Sequence, residues 1–324
     1  QYHASCVLER SFRNSVVLPS ATRRRQALIR SQSGHAAGKW LTTTPHDPAL
    51  TLTPLRMQVA LRLRLHYTLP LGPRHCNGRT CRALLDAYGD HWSSCNRSGR
   101  LKLRATPLER TWARVFREAG ARVQTNVLLR DTNVQNVRAD DQRRLEIVAT
   151  GLPLHRGVPL GVDCTMTAPL HADGSPWAHA ATTDGVAIQR GEASKNRTYP
   201  ELLNNSQLKL TTLACETGGR WSQTCGQVVR QLARAKARTA PEERQARIAA
   251  AWASRWWSLL AVAGRSALAG TLVDDAPLLL DGVDGAEPRW PDVLLDSTPG
   301  TVLAELQRDE HETLHQPGDR RAID

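Results

Sequence analysis

The chain has 324 residues, 40% of them hydrophobic, with 9 Trp, 18 Pro and 23% charged residues; this excludes a small disulfide-stapled scaffold and fits core-forming domains with loops and tails. No stretch approaches the roughly 20 apolar residues that span a bilayer, and the opening QYHASCVLERSFRNS lacks the apolar run of a secretory signal, so no membrane partner is expected. The net charge of +12 is unevenly placed: residues 273–324 hold 13 acidic against 4 basic side chains, leaving +21 on residues 1–272, a body suited to a polyanion.

In chain order, residues 1–72 form a basic segment. RRRQALIR at 23–30 precedes SQSGHAAGKWL, and MQVALRLRLHYTL at 57–69 is rich in helix formers, so a basic helix is expected there. Residues 73–99 hold a cluster of Cys and His between Pro73 and Gly99, residues 100–272 are the longest patterned region, and 273–324 are an acidic tail expected to be disordered and to shield the basic body. The chain begins with Gln rather than Met, so a processed product or a fragment is expected.

Within 100–272, Pro107 suits a first helical turn, and Leu108, Trp112, Val115, Phe116 and Ala119 then fall on one stripe of a helix ending at Gly120. VQTNVLLR at 123–130, RLEIVAT at 144–150 and VPLGVDCTMT at 158–167 are short runs rich in β-branched residues, separated by Asn, Asp, Gly and Pro, and each reads as a strand. A helix over 184–199 stops at Pro200, and LKLTTLAC at 208–215 has strand length. The predicted order is α-β-β-β-α-β, in the α+β or α/β class, followed by two helices at 222–238 and 241–270.

Seven cysteines, three of them close to a histidine, favour a reducing compartment and a metal site. Cys76, Cys81, His91 and Cys95 follow a C-x4-C-x9-H-x3-C spacing, the ligand set of a closed structural zinc site; His75 is an alternative imidazole, and free thiols beside a surface histidine are the competing reading. A module this small would depend on its zinc to fold. Around it, Arg74, Arg79, Arg82, Arg97, Arg100 and Lys102, with Tyr88 and Trp92, suit contact with phosphates and unpaired bases.

Two carboxylates lie within apolar strands, Glu146 in RRLEIVA and Asp163 in LGVDCTM. Buried carboxylates are normally paired or bound to metal, and adjacent strands can bring these two to one Mg2+ or Mn2+ ion, with Lys195 reaching in from the next helix. That set suits phosphodiester hydrolysis, in which the metal activates a water and the lysine stabilises charge growing on the phosphate. The competing reading leaves Glu146 on a solvated sheet face and Lys195 on the surface.

The succession of a Cys-Cys-His-Cys knuckle, an amphipathic helix, RRLEIVA, LGVDCTM and ASKNRTYPEL resembles the C-terminal part of non-LTR retrotransposon proteins carrying a restriction-like endonuclease of the PD-(D/E)XK superfamily. GDHWSSC, PLERTWARV, TYPEL, ETGGRWS and ASRWW look more particularly like retroelement-derived proteins of dinoflagellate genomes. The resemblance covers about residues 31–270 and implies a restriction-endonuclease-like core, with Glu146 and Asp163 as acids and Lys195 as the lysine that this branch carries on the following helix. Arg197 and Tyr199 fit the end of that lysine-containing segment; Glu109 is expected to be an exposed helix-start carboxylate, its competing reading an accessory acid on the first helix. The sequence departs from the pattern in having Leu145-Glu146 for Pro-Asp, Thr165 where a lysine often stands, and four and nine residues in the knuckle spacings. The resemblance further implies a DNA target, element RNA as a second partner, a nuclear location, and residues 1–72 as a linker following a polymerase domain of the same polyprotein.

Three further motifs are read as structural or left open. Arg138-Ala139-Asp140-Asp141 reads as a polar hairpin loop rather than a polymerase acidic loop; Glu216 either approaches the cleft or caps a turn; Trp252, Trp256 and Trp257 read as core anchors. The expectation is a metal-dependent DNA endonuclease module that nicks a target strand. The alternative is a catalytically inactive nucleic-acid-binding remnant or domesticated retroelement protein.

Overall fold

Alternating and helical hydrophobic patterns produce a mixed α/β fold, here a computed structural model that describes residues 2–69 and 75–273. The N-terminal part contains α1 (Tyr2–Phe12), α2 (Leu18–Ser20), α3 (Arg23–Ser31) and α4 (Pro54–Leu65); α5 (Asp90–Ser94) lies in the Cys/His module. Then follow α6 (Ala105–Glu118), β1 (Arg122–Leu128), β2 (Arg144–Thr150), β3 (Leu160–Thr167), α7 (Val186–Thr198), β4 (Lys209–Glu216), α8 (Gln223–Ala237) and α9 (Glu242–Leu272). The expected α-β-β-β-α-β order with two further helices is present.

The sheet runs β1-β2-β3-β4, antiparallel at its first two pairings and parallel between β3 and β4, with α7 as the crossover that a parallel pair requires. β3 is central and buried from Leu160 to Cys164, whereas β1 is an edge strand and largely exposed. On α6, Leu108, Trp112, Val115 and Phe116 are buried against the sheet and α9, and the helix stops where Gly120 takes a left-handed φ of +99°. The 31-residue α9 is buried from Ala249 to Leu272, with Trp252, Trp256 and Trp257 in the main core as anchors. Its Ala-rich composition lets α8 and α6 approach closely.

The expected helix at 57–69 begins earlier, at Pro54, because Thr53 caps it by accepting from Arg56 N, and it ends at Leu65, where His66 turns left-handed. The basic segment packs onto the body: Val59 and Ala60 of α4 are buried against α9, and Arg30 of α3 donates to Ala181 O and pairs with Asp184. Residues 138–140 form an exposed turn, as read. Arg74 and the acidic tail from 274 onward lie outside the described residues. Among the described residues no helix is long and apolar enough to cross a membrane.

Candidate metal centre and carboxylate site

The ligand atoms of Cys76, Cys81, His91 and Cys95 all lie within 4.8 Å of one another. Cys76 Sγ and Cys95 Sγ are 3.9 Å apart, and Cys81 Sγ and His91 Nε2 are 3.4 Å apart. A tetrahedral zinc with metal–sulfur bonds of ~2.3 Å has edges of about 3.8 Å, close to these two separations, so the quartet could hold a metal such as zinc once its longer edges draw in. Cys76 and Cys81 flank a tight turn closed by Cys81 N donating to Gly78 O. A Cβ on Gly78 would meet Arg97 O at 2.7 Å, so the turn needs glycine. His91 sits on α5, and its Nδ1 contacts Ala172 O at 2.8 Å, which turns Nε2 toward the thiols. His75 is exposed and stands outside the quartet. Burial, then the neighbouring Cys95 and Cys81, push the Cys76 thiol up, whereas the Ala83 backbone N–H holds the Cys81 thiol down.

On β2, Leu145 and Ile147 are fully buried on one face, which turns Glu146 to the other. The pairing of Ile147 with Val162, carried one step further, sets Glu146 opposite Asp163 on β3. There the strands part: instead of a backbone carbonyl, Glu146 Oε2 accepts Cys164 N–H at 2.5 Å. Asp163 is only 2% exposed, and Lys195 Nζ from α7 lies 2.5 Å from its Oδ1. Glu109 of α6 is half-buried near Glu146 and within reach of the charge on Asp163, so the expectation of an exposed helix-start carboxylate is corrected. Burial, then the charges of Asp163 and Glu109, push Glu146 up to about 8. Burial, then Asp163, likewise raises Glu109. Both shifts report the same cause, too much negative charge in too little water.

Lys195 reaches Asp163 because α7 lies close against β3. A Cβ on Gly191, one turn before Lys195, would stand 3.0 Å from Thr167 Cγ2 and 3.1 Å from Thr165 Cγ2. The sequence reading missed Gly191; its spacing of four from both Ala187 and Lys195 was the available signal. Thr212, level with Asp163 on β4, was also missed, and its buried Oγ1 has no hydrogen-bond partner among the described residues. Tyr199 is buried and donates to Arg144 O at 2.6 Å, pinning the end of α7 to the start of β2; burial, then Asp163, raises its pKa. Arg197 is exposed and points into a cleft beside the acids. Glu216 Oε1 accepts Ala187 N–H at 3.2 Å, so it caps the start of α7. The three carboxylates are less tightly gathered than the quartet, which among the described residues is the group of three or more such ligands within 4.8 Å.

Of the expected phosphate-binding residues, Arg79, Arg82, Arg97 and Lys102 are exposed around the Cys/His module. Arg100 is corrected: it is 8% exposed, donates to Thr271 O and lies 3.9 Å over the Trp92 ring. Trp92 is itself buried, and Tyr88 is stacked on His66 with Arg24 on its ring, so neither offers an open face to a base. These aromatic groups stabilise the module instead, because α5 has only five residues and little stability of its own. In comparison with known proteins, the chain matches no family model and no curated protein sequence.

Proposed function

We propose that this chain is a metal-dependent phosphodiesterase that nicks DNA, with a restriction-like core of the kind carried by non-LTR retrotransposon proteins. The observation that carries this reading is the meeting of Glu109, Glu146, Asp163 and Lys195, from four separate elements, on one side of β2 and β3. Three carboxylates facing one ammonium leave a deficit of positive charge, which Mg2+ or Mn2+ would fill through oxygen ligands, with the orphaned Thr212 hydroxyl close by. A cation held there would lower the pKa of a bound water and stabilise charge on the phosphate oxygens. Lys195, moving off Asp163, would place its ammonium against the scissile phosphate, where negative charge grows during attack. Glu109 and Glu146 lie side by side in the cluster, and one of them would accept the proton an attacking water gives up. The quartet would hold zinc as a structural ion. The partners that follow are a DNA target and element RNA, with the polymerase domain of the same polyprotein, in the nucleus.

The Lys195–Asp163 ion pair and a proton on Glu146 reduce the cluster to a single negative charge, on Glu109, without any cation. That favours, as a second reading, a nucleic-acid-binding remnant or domesticated protein. Supercoiled plasmid incubated with the protein and Mg2+ or Mn2+ is expected to become nicked circles. Glu146→Gln, Asp163→Asn and Lys195→Ala should each slow this by roughly 100-fold or more. Plasmid retarded in a gel but left intact by the wild-type protein would decide for the second reading.

A further inference from the structure

Between the Cys/His module and α7 runs a cleft of about 600 Å³. Asn96 and Lys102 line one wall; Arg190, Ser194, Lys195 and Arg197 line the other, over an apolar floor that includes Leu108 and Met166. Its width is set by Arg104, a buried side chain that donates to Ser93 O and to Met166 O, both at 2.8 Å, and so ties the module to the end of β3. Along one side the Arg190 guanidinium lies 3.7 Å over the Trp177 ring, whose Nε1 donates to Ala168 O at 3.1 Å. Lys102, Arg190 and Arg197 are exposed and form no ion pair among the described residues. Lys195 belongs to both places, lining the cleft while it holds Asp163.

We infer that this cleft seats one unpaired strand of nucleic acid. Three cations without counter-charges call for an anionic ligand, and exposed cations along a groove track a phosphate backbone. An apolar floor beside a stacked Trp–Arg pair calls for a flat, polarizable ring as well, which a base supplies and an acidic peptide does not. The volume lies in the ~300–1,000 Å³ range of pockets that enclose small ligands, room for a nucleotide or two and too little for a duplex. Trp177 is covered by Arg190 and by His171, whose ring centroid lies 3.4 Å away, so the base stacks on the outer face of the Arg190 guanidinium that Trp177 holds flat. Lys102 and Arg197 take the flanking phosphates, and the strand continues toward Asp163 past Lys195. The inference rests on the proposed nuclease for the strand's destination, though not for its binding.

Fluorescence anisotropy on the zinc-loaded full chain, without added Mg2+ or Mn2+, tests it with a labelled oligo-dT of about 12 nucleotides and its duplex with oligo-dA. The single strand is expected to bind more tightly than the duplex. Arg190→Ala, a surface change that leaves the core intact, and the pair Lys102→Ala/Arg197→Ala should each weaken it roughly tenfold or more. The pair should also flatten the log–log salt slope by about 1.4, at ~0.7 per phosphate contact on a single strand. Arg244→Ala/Arg247→Ala, exposed at the start of α9, should stay within about twofold of wild type. Glu146→Gln should still bind the strand, so a protein that binds here but never nicks retains the cleft and loses only the nuclease reading. Wild-type affinity in both cleft variants, equal binding of duplex and single strand, or displacement by polyglutamate as readily as by oligo-dT would each overturn the inference.

Discussion

At Glu146, burial and two neighbouring carboxylates lift the pKa from its ordinary 4.5 to about 8. Between those values the folded protein without added divalent cation holds a proton that the unfolded chain has released, so this group's contribution to stability falls as pH rises. Urea unfolding from about pH 5 to about pH 8.5 should show Glu146→Gln losing less stability than wild type across that range; parallel curves would remove the buried carboxylate cluster. Gly191 offers a second test at the same scale. Gly191→Leu inserts a side chain where even a Cβ meets two threonine methyls, so a loss of about 1–3 kcal/mol is expected in the same assay, with nicking lost as α7 is forced away from β3 and carries Lys195 out of reach of the carboxylates and the phosphate. Glu146 was legible in the sequence because a carboxylate between Leu145 and Ile147 breaks the strand's apolar pattern. Arg100 was not, because whether an arginine faces solvent or packs on Trp92 depends on α9, which is distant in the chain.

Among the elements, α5 is the one whose existence depends on chemistry outside itself. Five residues make barely more than one turn, and the helix is held by the quartet, by Arg24 on Asp90, and by Arg104 on Ser93. About one equivalent of zinc is expected by metal analysis, falling in Cys76→Ser and Cys95→Ser. Chelation should lower the thermal midpoint and speed amide exchange around Ala172, whose carbonyl holds the His91 ring. A chain that folds fully with no bound metal would refute a structural zinc. The α-β-β-β-α-β order was legible because strand and helix periodicities are local, within two to four residues. The start of α4 was misplaced because a cap, Thr53 with Pro54, can override hydrophobic spacing.

For the molecule as a whole, the junction of α6 and α9 carries a charged group deep in the core. Glu118 accepts from Arg255 Nη2 at 3.1 Å and from Trp256 Nε1 at 2.9 Å, while Arg114 links Glu118 to Asp47 in the segment before α4. Glu118→Ala strands the Arg255 guanidinium without this carboxylate, and a loss of about 3–5 kcal/mol is expected by urea unfolding, well above the cost of a surface ion pair. A loss below about 1 kcal/mol would mean that solvent reaches the pair. The sequence by itself determined the succession of strands and helices, the zinc-type ligand spacing and the two strand acids, since each is written in neighbouring residues. Only the tertiary structure decided that Glu109 joins those acids, that Arg100 and Trp92 are buried, and that residues 23–65 pack on the body. Those outcomes depend on contacts between segments tens to hundreds of residues apart, where burial and pairing are properties of the assembled core rather than of any window of sequence.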